Sequence, residues 1–232
     1  MKKENSKTSS GRRNFLGKIT TGAAAMTIAG ITAPFQKAEA KVNEWDPGTD
    51  DEWFNKIRGK HRIVFDATQP HEIFPFAWPR VFLMTNEKTG TAAKDCSVVV
   101  VLRHTAIGYA MQNAMWTKYN LGEVFKADDP KTKKPSTRNP FWQPEKGDYK
   151  LPGVGDVAIG INELQANGVM FCVCDAAMTV FSGVLGDKMK MDPADVKKDF
   201  LANLLPGIHV VPSGVWAVGR AQEHGCAYCF AG

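Results

Sequence analysis

Short runs of consecutive apolar residues alternate with longer segments whose apolar positions recur every three or four residues, and the alternation begins at His61. The clearest run is Cys96 to Leu102, with four consecutive valines and no polar face. Such runs belong to parallel strands covered on both sides. His61 to Asp66, Val169 to Cys174, Ile208 to Val211 and Cys226 to Phe230 read as the other strands. Between them the spacing predicts helices over 78–86, over 105–119 with Thr105 as N-cap, and over 156–167 with Asp156 as N-cap and Gly168 as stop. Further helices are expected over 176–185, over 192–205 with Asp192 capping and Pro193 in the first turn, and over 215–224. Repeated strand-helix alternation predicts an α/β fold, a mostly parallel five-stranded sheet with helices on both faces.

Three stretches fall outside that rhythm. Residues 41–59 read as a polar linker with a short helix over 51–58, and 67–76, with Pro70 and Pro75, reads as a loop. Residues 123–155 are rich in Pro, Lys and Asp and have no period, so they form a long insertion in a domain spanning 60–232. Loops of that length serve as lids, binding loops or interface arms. Phe141, Trp142 and Tyr149 predict that this one packs on something, such as a neighbouring subunit.

The first forty residues have the layout of an export leader. Arg12-Arg13 precede a mildly apolar stretch from Ile19 to Phe35, and Ala38-Glu39-Ala40 offers small residues to a signal peptidase. The paired arginines favour the twin-arginine (Tat) route, with cleavage after Ala40 and a periplasmic or otherwise exported chain starting at Lys41. The Thr, Gly and Pro content of the stretch is too polar for a membrane anchor, which needs about 20 strongly apolar residues. Removing the leader changes the charge picture. It holds seven Lys and Arg against two acids, which leaves 22 of each sign from a chain of net charge +5. No basic excess remains to argue for nucleic acid.

In a parallel sheet the carboxyl ends of the strands share one edge, where open α/β sheets bind their ligands. Asp66, Arg103, His104, Cys174, Asp175 and Ser213 all fall at such ends, and His71 lies in the first strand-to-helix loop. The thiolate is the reactive form of cysteine and is favoured by a helix N-terminus or a neighbouring cation. Cys174 precedes a helix, which makes Cys174, Arg103 and His104 the candidate reactive group, with Asp66, His71, Asp175 and Ser213 as candidate ligand contacts. The plainer readings are a buried inert thiol, an ion-paired Arg103, a His104 packed beside a helix start and an exposed His71.

Five cysteines are an odd number, so an exported chain keeps at least one outside intramolecular disulfides. Cys172 and Cys174, two apart on a strand, are expected on one face, and Cys226 and Cys229, three apart, on opposite faces. A four-thiolate site of Cys172, Cys174, Cys226 and Cys229 stays open if the last strand is short. Cys96 reads as core. There is no glycine-rich phosphate loop, no serine nucleophile elbow and no two-histidine helix motif, which disfavours nucleotide hydrolysis and serine hydrolase chemistry.

The stretch Val169 to Met178, the segment Leu205-Pro206-Gly207-Ile208-His209-Val210-Val211-Pro212-Ser213-Gly214-Val215, and Arg220 to Tyr228 resemble the second half of DsrE/DsrF-like sulfur-relay proteins. The resemblance covers about residues 60–232 apart from the insertion. It implies a compact α/β sandwich, a homo-oligomer, and a cysteine that carries sulfur as a persulfide, a position matched by Cys174. The expected function is an exported DsrE-like protein that binds or relays sulfur on Cys174. The alternative is a non-catalytic periplasmic protein that binds a small ligand or a metal. Expected partners are the Tat translocase, further copies of the chain and a sulfur donor or acceptor protein. No nucleic acid, cofactor or resident metal is assigned.

Overall fold

The computed structural model describes residues 51–232; the leader and its cleavage site at Ala40 lie outside the described residues. Five strands form one fully parallel sheet: β1 (His61–Ala67), β2 (Cys96–Leu102), β5 (Val169–Cys174), β6 (Ile208–Val211) and β7 (Ala227–Phe230). Their order is β6-β5-β2-β1-β7. The valine run is central, paired with β1 on one side and β5 on the other. Period-two alternation splits it between two cores. Val98, Val100 and Leu102 join the larger one, Val99 and Val101 the smaller. The larger core lies under α1 (Phe74–Lys88), α2 (Asn113–Tyr119), α4 (Ile161–Ala166), α5 (Asp175–Met189) and α6 (Pro193–Ala202). The smaller is closed by α7 (Gly214–Glu223) and by Phe54 and Ile57 at a 3-10 turn over Trp53–Lys56. The α/β fold with helices on both faces is therefore as the sequence predicts. Among the described residues no helix is long and apolar enough to cross a membrane.

Several boundaries move, each for a local reason. Helix α1 begins at Phe74, with Pro75 in its first turn, where the prolines suggested a loop. Pro79 then sits inside the helix and forgoes one backbone bond. The helix expected over 105–119 is broken. A 3-10 segment, His104–Ala110, ends at Met111, where the chain bridges to Leu204 and Gln112 N–H donates to the Asn203 carbonyl at 2.9 Å. Tertiary pairing thus interrupts a periodic sequence before α2. Asp156 is no N-cap but part of a two-residue strand, β4 (Gly155–Asp156), paired with β3 (Lys150–Leu151). The following helix, α4, starts after Gly160, whose N–H donates to Glu163 Oε2 at 2.8 Å.

The insertion folds onto its own domain. After the one-turn α3 (Leu121–Val124), the chain buries Ala127, Asn139, Phe141 and Tyr149. Asn139 Nδ2 donates to the carbonyls of Tyr109 and Met111 at 2.8 and 3.0 Å. The Phe141 ring lies 4.3 Å from Phe76, 5.3 Å from Tyr109 and 5.2 Å from Tyr149 between centroids. Its aromatics therefore find their partners within the same chain.

Candidate functional site

Cys174 is the last residue of β5 and the N-cap of α5. Its backbone is still extended (φ −75°, ψ 112°), which leaves the first amides of α5 facing the side chain, and Sγ accepts the Ala177 N–H at 3.3 Å. A cysteine thus occupies a position usually held by Ser, Thr, Asp or Asn. It is 6% exposed. The turn into α5 swings the thiol to the larger core, whereas Cys172 stays in the smaller one, so the two do not share a face as the strand period suggests.

Arg103 stands one residue beyond β2, with extended backbone (φ −134°, ψ 170°). Because Leu102 pairs with Val173, Arg103 comes next to Cys174 in register. Its guanidinium is fixed by a two-point contact: Nε donates to Asp66 Oδ1 at 2.6 Å and Nη2 to Oδ2 at 2.9 Å. Such fork geometry orients as well as binds. Asp66, on β1, is 2% exposed, and Tyr228 of β7 donates its hydroxyl to Oδ2 at 3.0 Å. The Asp66 hydrogen bond holds the Arg103 pKa above its ordinary value, against desolvation, and attraction from Asp66, Tyr228 and Cys174 adds in the same direction. Cation and thiol are thus within electrostatic reach. Among the described residues Nη1 of Arg103 has no protein acceptor.

The start of α7 braces this cation. A Cβ at Gly214 would lie 2.5 Å from Arg103 Cβ and 2.8 Å from its Cδ, so only glycine lets the helix lie against the arginine stem. Ser213 serves as the N-cap, its Oγ accepting the Trp216 N–H at 3.2 Å.

The remaining predicted residues have other partners. Asp175, the first residue of α5, accepts from Lys197 Nζ of α6 at 2.7 Å, and Lys197 also donates to Thr179 Oγ1 at 2.7 Å. Its charge is thereby paired within the α5-α6 contact. His104 has φ +50°, is exposed, and meets Phe181 edge-on at 5.7 Å. Phe181 is two turns along α5 from Cys174, about 10 Å at 1.5 Å per residue. His71 is exposed, packs on Phe74 at 5.0 Å and lies beside Gly232. The structure therefore brings together Cys174, Arg103, Asp66 and the α7 start at Ser213, and adds Tyr228, to which no sequence pattern points.

The other thiols differ in kind. All five cysteines are free. Burial pushes the Cys172 thiol strongly up, with Cys174 adding to the effect. Burial pushes Cys226 up to about 11, with Arg62 opposing. Cys96 and Cys229 are also raised by burial, Cys96 with help from Asp95. Cys226 and Cys229 belong to opposite sides of the sheet, as expected from their spacing. Cys172 on β5 and Cys226 at the start of β7 are three strand spacings apart, about 14 Å at 4.8 Å each, which rules out a shared four-thiolate site. Among the described residues no group of three or more His, Cys, Asp or Glu is arranged to hold a metal.

No family model matches the chain, and no curated protein matches it. Among solved structures, a protein of unknown function from Methanobacterium thermoautotrophicum is similar to it at 18% identity. The match covers 74% of this chain and 99% of that one, with a TM-score of 0.39.

Proposed function

We propose that the chain is an exported DsrE-like protein that accepts and passes on sulfane sulfur at Cys174. The reading is carried by one observation: Cys174 Sγ caps a fifteen-residue helix and lies within electrostatic reach of a guanidinium that Asp66 holds in place. An amide at a helix N-terminus and a fixed cation both stabilise a sulfur anion. The Cys174 thiolate attacks the terminal sulfur of a persulfide donor. A new S–S bond forms on Cys174, the donor's S–S bond breaks, and the donor leaves as a thiolate, with no net oxidation. The reverse step with an acceptor thiolate discharges the sulfur. Arg103 Nη1 is available to the anionic sulfur, while Asp66 and Tyr228 orient the guanidinium and take no part in bond exchange.

The test is mass analysis of the full chain after exposure to a small-molecule persulfide and removal of excess reagent. One added sulfur on the Cys174 peptide, absent in Cys174→Ser and formed about tenfold more slowly in Arg103→Met, is the expected result. Equal, slow modification of all five thiols would overturn the reading. Export is tested separately by the N-terminal residue of protein recovered outside the cytoplasm, expected to be Lys41.

A further inference from the structure

A cavity of about 540 Å³ lies at the edge of the sheet opposite Cys174, against the starts of β2 and β5. That is within the size range of small-molecule sites. Four cations line it, Lys56, Arg58, Lys60 and Lys94, against a single acid, Asp95. The loop that carries two of these cations is fixed in place. The buried Ser97 hydroxyl accepts the backbone N–H groups of Arg58 at 3.1 Å and Gly59 at 2.7 Å, and Lys60 N–H donates to the Asp95 carbonyl at 2.6 Å. A Cβ on Gly59 would meet the Cys96 carbonyl carbon at 2.5 Å, so the loop lies directly on the β2 backbone.

Basic side chains at this edge have a simpler use, since helices end there and cations complement helix C-termini. For the three lysines the hydrogen bonds argue against it. Gly90 and Gly168, just past α1 and α4, line the cavity, and the carbonyls of Thr85, Asn86 and Glu87 in α1 and of Leu164 and Gln165 in α4 accept from backbone N–H groups of Thr89, Gly90, Thr91, Asn167 and Gly168. Among the described residues Arg58 does serve this use, its Nε donating at 2.8 Å to the carbonyl of Asn55 in the 3-10 turn, whereas Lys56, Lys60 and Lys94 form no ion pair and bond no helix carbonyl. Like charges gathered round one concavity with a single acid among its described lining residues repel each other, and a bound polyanion relieves that repulsion.

We propose that this cavity binds a small, multiply charged oxyanion of the phosphate or sulfate type, independently of the chemistry at Cys174. A concave site of this volume suits a free small molecule better than a flat membrane or a duplex.

Calorimetric titration of the full chain with inorganic pyrophosphate at low ionic strength tests it. One saturable site is expected, weakened about 100-fold in Lys60→Ala/Lys94→Ala, because removing one charged hydrogen bond to the anion costs roughly tenfold in affinity. A charge-matched control, Lys133→Ala/Lys134→Ala, should bind as the parent does, and Cys174 alkylation should proceed at the same rate in both variants. Absence of saturable binding would overturn the proposal, as would equal weakening in the two variants. Tighter association with anionic phospholipid vesicles than with pyrophosphate, abolished in Lys60→Ala/Lys94→Ala, would also overturn it and assign the patch to a membrane surface.

Discussion

At the scale of single residues, the candidate site turns on Asp66. Three neighbouring strands meet there, since β2 leads into Arg103, β1 holds the carboxylate and β7 supplies the Tyr228 hydroxyl. A nearly inaccessible carboxylate needs these three bonds, and removing it strands a cation whose charge was balanced by it. Asp66→Ala is therefore expected to destabilise the fold by roughly 3 kcal/mol, against about 1 kcal/mol for Tyr228→Phe, which deletes one bond at an exposed ring. Urea denaturation midpoints check that order. Both variants should also slow persulfide uptake at Cys174 while leaving the buried thiols as they were; Tyr228→Phe with unchanged uptake would remove Tyr228 from the positioning network. Asp66, Arg103 and Cys174 were legible in the sequence because each follows an apolar run, and strand ends in a parallel sheet share an edge. Tyr228 was not, because its nearness to Asp66 depends on β7 pairing beside β1, a matter of strand order that no local pattern encodes. The partner of Asp175 was not legible either, since adjacency to Cys174 in sequence says nothing about the lysine that α6 presents to it.

At the scale of elements, period was a good guide where one face of a segment is buried and a poor one where individual side chains do the packing. The valine strand and α7 follow their patterns, and Asp192 caps α6 through a 2.8 Å bond from Ala194 N–H, as expected. The insertion has no pattern to follow. Its anchoring rests on isolated groups, Asn139 bonding two carbonyls and Phe141 seated among Phe76, Tyr109 and Tyr149, so it read as a polar arm seeking a partner. Phe141→Ala is predicted to cost about 3–5 kcal/mol, the range for a large aromatic in a core rather than in a surface loop. Thermal unfolding should register that loss as a single lowered transition. A separate early transition, with the main one unmoved, would mean that the insertion folds apart from the sheet. The α5-α6 contact allows a milder test. Lys197→Met removes the ion-pair partner of Asp175, a carboxylate whose other oxygen is buried without a hydrogen bond, and on the order of 2 kcal/mol should be lost.

At the scale of the whole molecule, buried acids of the thiol and phenol type set the response to alkali. Burial raises Cys172, Cys226, Tyr109 and Tyr149, with Cys226 at about 11. In the unfolded chain the same groups lose their protons near ordinary values, about 8.5 for thiols and about 10 for phenols. Between the ordinary and the raised values the folded state binds more protons than the unfolded one. Stability must then fall as pH rises, by at most about 1.4 kcal/mol per pH unit for each group inside its window. For Cys226 that window runs from about 8.5 to about 11. On the acid side the sign reverses. Hydrogen bonds from Lys118 and Tyr119 lower the Asp199 carboxyl, so its small contribution is present at neutral pH and is lost as pH falls through the carboxylate range. Denaturation midpoints should be level around neutrality and decline above about pH 9. Tyr109→Phe isolates one contributor, since it keeps the ring that packs on Phe76, Trp116 and Phe141 and removes only the ionisable hydroxyl. Its stability curve should match that of the parent below about pH 9 and fall less steeply above about pH 10; parallel alkaline limbs would show that the Tyr109 hydroxyl is not what the folded core keeps protonated.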